Sequence, residues 1–257
     1  MAQLTPESGS SLGGPFFAVM RHSARLDMLG DGFEPPLPWD DKVERPWDCP
    51  IWDFELPART AEALAPCGIT VVYSSPFRRC LQTAGVVAAS LGVRAVTVHA
   101  GVGEVMEAAR SCTDEAAAAA QIDSGGKAYL LPKAACADLV RSASGGAAEL
   151  AVPFFAPPDV PPWDETRAES VQRLSGVLAS LYAALRAKGG SVVVVTHGDA
   201  LAAAAEAICG GEVVLYEVAF CGAAVFDADG RLTSLRHGIS ALEVSECSKR
   251  PSAFGGS

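Results

Sequence analysis

Ser191 to Val195 reads Ser-Val-Val-Val-Val and stops abruptly on Thr196-His197-Gly198-Asp199. An unbroken β-branched run has no solvent face to offer, so it predicts a strand covered on both sides. Three further runs follow the same plan. Pro15–Met20 ends on Arg21-His22-Ser23-Ala24-Arg25, Ile69–Tyr73 on Ser74-Ser75-Pro76-Phe77-Arg78-Arg79, and Arg94–Val98 on His99-Ala100-Gly101-Val102-Gly103-Glu104. Between them lie helix-like stretches: Glu55–Ala65, a helix from Pro76 to about Leu91, Glu165–Ala187 and another ending near Cys209. Proline fits a first helical turn, which places Pro76 at the start of the second. In Glu165–Ala187 the residues Val171, Leu174, Val177, Leu178, Leu181 and Leu185 form one apolar stripe. Strands are also predicted near 213–219, 222–227 and 231–236.

This alternation predicts an α/β fold, a three-layer sandwich whose central, mostly parallel sheet is flanked by helices. Residues 1–14 read as a disordered leader, 15–244 as one domain and 245–257 as a mobile tail. Residues of about 105–162 are Ala-rich, with Gly pairs and a Pro-rich exit, and read as a helical or irregular insertion or lid. The early loop carries Phe33, Trp39, Trp47 and Trp52, which could wall a ring-bearing ligand.

The net charge is −10, which argues against a general affinity for nucleic acid or anionic membrane. No segment is apolar for long enough to span a bilayer, and the polar N-terminus lacks a signal-peptide pattern. Eight cysteines show no C-x-x-C pair, and the absence of Asn rules out N-glycosylation. Together these predict a cytoplasmic protein.

In an open α/β sheet the carboxyl ends of the strands meet at one edge, where ligands bind. The four strand ends would bring arginines and histidines to that edge, an arrangement suited to a phosphate because guanidinium forks match its oxygens. Rival motifs are weaker. Arg236-His237-Gly238 has too little chain after it to supply partners, and Gly9-Ser10-Ser11-Leu12-Gly13 follows no strand. Gly126-Lys127 lacks the rest of a P-loop, Gly101-Val102-Gly103 lacks a third glycine, and no zinc pattern occurs.

The ordered set resembles the histidine phosphatase superfamily, of phosphoglycerate-mutase-like fold. Within it the set is most similar to the phosphatase domain of the suppressor-of-T-cell-receptor-signalling proteins. The family's R-H-G-x-R corresponds to Arg21 to Arg25, its S-S-P-x-x-R-C-x-Q-T-A to Ser74 to Ala84, its G-x-x-E to Gly101 to Glu104, and its second histidine to His197. The resemblance implies a phosphomonoester hydrolase in which His22 becomes phosphorylated and Glu104, its pKa raised, acts as general acid and base. Arg21, Arg25, Arg79 and a protonated His197 would hold the phosphoryl group. No metal or other cofactor is implied. The substrate would be a phosphorylated small molecule or a phosphoprotein, and a homodimer is open. Arg78 is expected to be a solvated helix residue, Glu107 the fallback acid, His99 a strand-end residue and Asp199 a helix cap. Ser23 replaces the family's glycine, which predicts either backbone strain or an extra hydroxyl near the phosphate. A mutase, or a phosphate-binding scaffold without turnover, is the alternative.

Overall fold

The computed structural model describes residues 14–29, 39–42, 44–113, 129–146, 149–155, 160–210, 213–236 and 239–243. The side chains of 213, 214, 216, 217 and 234–243 lie outside the description. Leader residues 1–13, the tail from 244, Phe33 and His237-Gly238 also fall outside it.

The chain builds β1 (Phe17–Arg21), α1 (Glu55–Leu64), β2 (Val71–Ser74), α2 (Arg78–Leu91), β3 (Val96–Val98) and α3 (Met106–Arg110). After these come α4 (Lys133–Ala143), α5 (Arg167–Lys188), β4 (Val192–Thr196), α6 (Gly198–Cys209), β5 (Val213–Val218), β6 (Ala223–Phe226), β7 (Leu232–Arg236) and β8 (Ile239–Glu243). Six strands form the central sheet in the order β3-β2-β4-β1-β6-β7. The β3–β2, β2–β4 and β4–β1 pairs are parallel, and β6 and β7 add an antiparallel edge. The sheet is therefore mixed, with its parallel half at the predicted ends. β8, which has no counterpart in the sequence reading, pairs with β5 in a separate antiparallel ribbon.

Alternation within the central strands sets the two cores, because successive side chains point to opposite faces. Val193 and Val195 face one side with Met20 and Val72, under Leu64 of α1 and Leu81 and Val87 of α2. Val192 and Val194 face the other with Phe17 and Val19, under Leu174 and Leu178 of α5 and Leu201 of α6. Leu181 and Leu185 continue the predicted stripe of α5, with Val177 only partly buried beside it. The α5 helix starts on a capping box: Thr166 accepts from the Glu169 N–H, and the Glu169 carboxylate accepts from the Thr166 N–H.

Segments between 129 and 163 contribute to the same body. Cys136 and Val140 of α4 enter the α1–α2 core, and Ala151 and Phe154 bridge to the β3 edge. Gly85 of α2 lets α4 come close, since a Cβ there would lie 2.4 Å from the Val140 carbonyl oxygen. Pro76 sits outside α2, whose N-cap is Phe77. A residue preceding proline is held in extended backbone, so Ser75 prolongs the path of β2, its N–H donating to the Val195 carbonyl at 2.9 Å, and the helix begins beyond Phe77. Among the described residues no helix is long and apolar enough to cross a membrane.

Candidate active site

The carboxyl ends of β1, β2 and β4, with the loop after β3, deliver four side chains to one place. His22 follows β1, Arg79 lies in the first turn of α2, Glu104 ends the loop beyond β3, and His197 follows β4. Arg79 connects them. Its Nε–H donates to His22 Nε2 at 3.2 Å, its Nη1 to the Trp47 carbonyl at 2.9 Å and its Nη2 to Glu104 Oε2 at 2.7 Å. The His197 Nδ1 lies 2.9 Å from the same carboxylate oxygen. The two imidazole centroids are 5.4 Å apart, and the rings meet edge to face. All four residues are at most 9% exposed.

Hydrogen bonds to each ring fix its tautomer. His22 Nδ1–H donates to the Ser23 carbonyl at 2.7 Å, which leaves the Nε2 lone pair toward Arg79. The Glu104 carboxylate can only accept, so His197 points Nδ1–H at it, with Arg79 Nη2 also 3.2 Å from that nitrogen, and Nε2 is left to accept from the Ser75 hydroxyl at 2.9 Å. Burial lowers the His22 pKa well below the ordinary histidine value, and Arg79 and His197 push it further down. A neutral imidazole with its lone pair facing a guanidinium is therefore the resting form. Burial also lowers His197, to about 4, against the pull of Glu104. Burial pushes the Glu104 carboxyl up, but His197 and Arg79 outweigh it and hold the group well below the usual carboxylate range. The expectations of a protonated His197 and a raised Glu104 pKa thus do not hold for this arrangement. Buried ion-pairing and hydrogen bonding to the carboxylate overcome its desolvation.

Arg21 lies beside the cluster without bonding to it. Its Nη1 donates to the Val218 carbonyl at 2.5 Å, and its guanidinium stacks 4.1 Å over Phe220, whose ring also leans on His22 at 5.7 Å. Burial lowers the Arg21 pKa, opposed by Glu104. Arg25 does not join the cluster: its guanidinium turns away into a pair with Asp27. Arg78 is not solvated, because it makes a fork with Asp41 at 2.8 and 2.6 Å. Adjacent helical positions point about 100° apart, so only one of the two arginines can face the cluster. Glu107 lies exposed on α3, away from these contacts. His99 is structural: its Nδ1 accepts from Gly101 N–H, and its ring stacks on Phe155 at 4.4 Å. Asp199 lies within the first turn of α6 and pairs with Arg167, while His197 occupies the N-cap.

Ser23 is unstrained, since Cys221 is the one described non-glycine residue with positive φ. Its hydroxyl donates to the Asp53 carbonyl at 2.8 Å instead of facing the cluster. Several supports escaped the sequence reading. Thr83 Oγ1 accepts from Ser23 N–H and donates to the Arg79 carbonyl, tying the histidine turn to the arginine helix. Asp48 accepts from Arg78 N–H and caps α2 from a distant loop. Phe77 sets its ring edge to face against His197 at 5.2 Å and lies 4.9 Å under the Arg79 guanidinium. Behind it pack Trp47, Tyr129 and Trp163. Trp39 and Trp52 stand half-buried elsewhere in that loop.

Residues 57–120 match the Histidine phosphatase superfamily (branch 1), a span that holds Arg79 and Glu104 but neither His22 nor His197. No curated protein matches the chain by sequence. Among solved structures the chain is similar to the ecdysone phosphate phosphatase of Bombix mori, with 16% identity, 82% of this chain and 88% of that chain covered, and a TM-score of 0.56. It is more distantly similar to a phosphoserine phosphatase of Entamoeba histolytica, with 15% identity, 88% and 97% coverage, and a TM-score of 0.44. A mycobacterial glucosyl-3-phosphoglycerate phosphatase stands near it, with 16% identity, 90% and 97% coverage, and a TM-score of 0.45. The Bombix mori likeness, the one of the three above 0.5, bears out the α/β architecture. The chain thus shares the segment 57–120 with the histidine phosphatase superfamily and an overall fold with the ecdysone phosphate phosphatase.

Proposed function

We propose that this chain hydrolyses a phosphomonoester through a phosphohistidine on His22, with Glu104 as general acid and base. One observation carries the reading: the Nε2 of a neutral, buried His22 carries no proton and accepts from Arg79, whose guanidinium also holds Glu104, while the His197 ring meets His22 edge to face. An unprotonated imidazole is the nucleophilic form, and donors already in place need little reorganisation when charge develops on the phosphoryl oxygens.

A phosphate dianion entering this cluster competes with Glu104 for Arg79 and His197. Its negative charge raises the pKa of both groups, so Glu104 takes up the proton that the resting arrangement denies it. Nε2 attacks phosphorus, the P–O bond to the alcohol breaks, and Glu104 protonates the departing oxygen. Water then attacks the phosphohistidine while Glu104 carboxylate takes its proton, and the P–N electron pair returns to Nε2. Arg79, His197 and Arg21 neutralise the transferring group, which leaves no step that requires a metal. Arg25 enters this scheme only if it leaves Asp27.

The ester we favour is ring-bearing, whether a small molecule or a phosphorylated protein side chain, although Phe77, Trp47, Tyr129 and Trp163 are themselves buried behind the cluster. That preference agrees with the proposed kinship to the suppressor-of-T-cell-receptor-signalling phosphatase domains, and a cytoplasmic setting belongs to the same proposal. Phosphate release from p-nitrophenyl phosphate by wild type, lost in His22→Ala, is the expected result. Phosphoryl transfer to a 3-phosphoglycerate-type acceptor without phosphate release would replace the hydrolase with a mutase. Phosphate binding without turnover would leave only a scaffold.

A further inference from the structure

The loop that carries Glu104 lies beyond the sheet, and side chains hold its carbonyls: Thr196 at the end of β4 donates to Val102 at 2.7 Å, and a residue of the far helix takes three others. Arg173 of α5 donates from Nη1 to the Gly101 carbonyl at 2.8 Å and the Gly103 carbonyl at 3.4 Å, and from Nη2 to the Glu104 carbonyl at 2.9 Å. The guanidinium is itself held by Glu165, through Nε to Oε1 at 2.9 Å and Nη2 to Oε2 at 2.8 Å. Ser170 donates to the same carboxylate at 2.6 Å and accepts from Met106 N–H on the other side of the loop. Side chains of Arg173 and Glu165 are only 14% and 7% exposed. Loop and helix are pressed together at Gly101, where a Cβ would lie 2.9 Å from Val177 Cγ2.

A buried ion pair contributes little net stability by itself, because desolvation offsets the attraction. Its geometry here points to another use. Every donor direction of Arg173 engages either Glu165 or the loop, and the last of those carbonyls belongs to Glu104 itself. We propose that Arg173, oriented by Glu165, is a positioning residue that fixes the general acid. Resting on the proposed mechanism, it acts through Glu104 and does not touch substrate. An acid misplaced by about 1 Å can lose roughly 10²-fold in rate.

Such a role has a signature that plain destabilisation lacks. Esters of poor leaving groups need protonation of the departing oxygen, whereas a nitrophenolate departs largely unaided. The experiment measures kcat/KM for phenyl phosphate and for 2,4-dinitrophenyl phosphate in wild type, Arg173→Gln, Arg173→Lys and Glu165→Gln. The ratio between the two esters is taken on one protein sample, so it is independent of the folded fraction. Arg173→Gln is expected to lose about 10²-fold on phenyl phosphate and at least ~10-fold less on the dinitrophenyl ester. Arg173→Lys, whose ammonium reaches fewer of these acceptors than a guanidinium fork, should recover part of the ratio, and Glu165→Gln should move it the same way by less. An unchanged ratio in an active Arg173→Gln would overturn the positioning role alone. A wild type inert on both esters would overturn the hydrolase reading and this role with it.

Discussion

Arg79→Ala and Arg78→Ala differ by one position in sequence, and the structure assigns them opposite consequences. Arg79 is 2% exposed and donates to His22, Glu104 and the Trp47 carbonyl. Its removal leaves the Glu104 carboxylate buried with His197 and the Val105 N–H as its remaining partners. Breaking one side of a buried pair costs about 3–5 kcal/mol. In a chain of this size each kcal/mol moves the thermal midpoint by about 2–4 °C, so Arg79→Ala should fall by roughly 6–20 °C. Arg78 pairs with Asp41 where the side chains are 13% and 33% exposed, which limits its loss to about 1 kcal/mol. The activities should separate further. Removing one preorganised donor costs ~10²–10³, and Arg79 supplies more than one, so kcat/KM on p-nitrophenyl phosphate should drop at least ~10³-fold. Arg78→Ala should stay within about 3-fold, since it touches none of the four residues. Circular dichroism melts set the assay temperature well below both midpoints, and initial rates of phosphate release give the comparison. Equal rate losses would refute the assignment of Arg79 to the centre of the cluster.

Other substitutions and conditions probe separate parts of the account. Ser23→Gly should cost about 1 kcal/mol by removing the bond to the Asp53 carbonyl, with kcat/KM within about 3-fold; a gain of 10-fold or more would show that the serine hinders catalysis after all. For pH, His22 and His197 titrate lower in the fold than the 6.5 of an unfolded histidine. The unfolded chain then binds more protons, so stability is full above that value and is lost as pH falls toward 4. The slope reaches about 1.4 kcal/mol per pH unit for each histidine. Glu104 adds a further loss once pH drops below its ordinary 4.5. Thermal midpoints across pH 4.5–8 should fall less steeply for His197→Gln than for wild type, and superimposable curves would contradict the assigned shift. Dialysis against EDTA should leave phosphate release unchanged, because arginine and histidine supply the positive charge; loss restored by a divalent ion would show a metal at work.

What the sequence revealed best was whatever depends on strand ends. Val192–Thr196 and Phe17–Arg21 are buried runs whose termination is written in their composition, and parallel pairing brings their ends together without further information. His22 and His197 were legible for that reason, whereas Arg79, as against Arg78, and Glu104 were marked by the resemblance through its S-S-P-x-x-R and G-x-x-E motifs. Side-chain direction was not. Arg25 follows the same strand as His22, yet a nearby Asp27 captures it, and no pattern in the one-letter code decides between the two fates. Resting protonation was not legible, because it depends on separations of about 3 Å: Glu104 meets Arg79 and His197 before any substrate arrives. β8 lacks a strong period-2 signal and exists through its pairing with β5. Arg173 lies off the apolar stripe of α5, and its contacts become visible only where the loop after β3 crosses that helix.

The central claim is covalent, and trapping tests it most directly. Wild type mixed with a phosphate ester, quenched in alkali and digested, should yield a peptide phosphorylated on the imidazole of His22, absent from His22→Ala and accumulating in Glu104→Gln. Turnover with the phosphoryl group on another residue, or turnover undiminished in His22→Ala, would contradict the account.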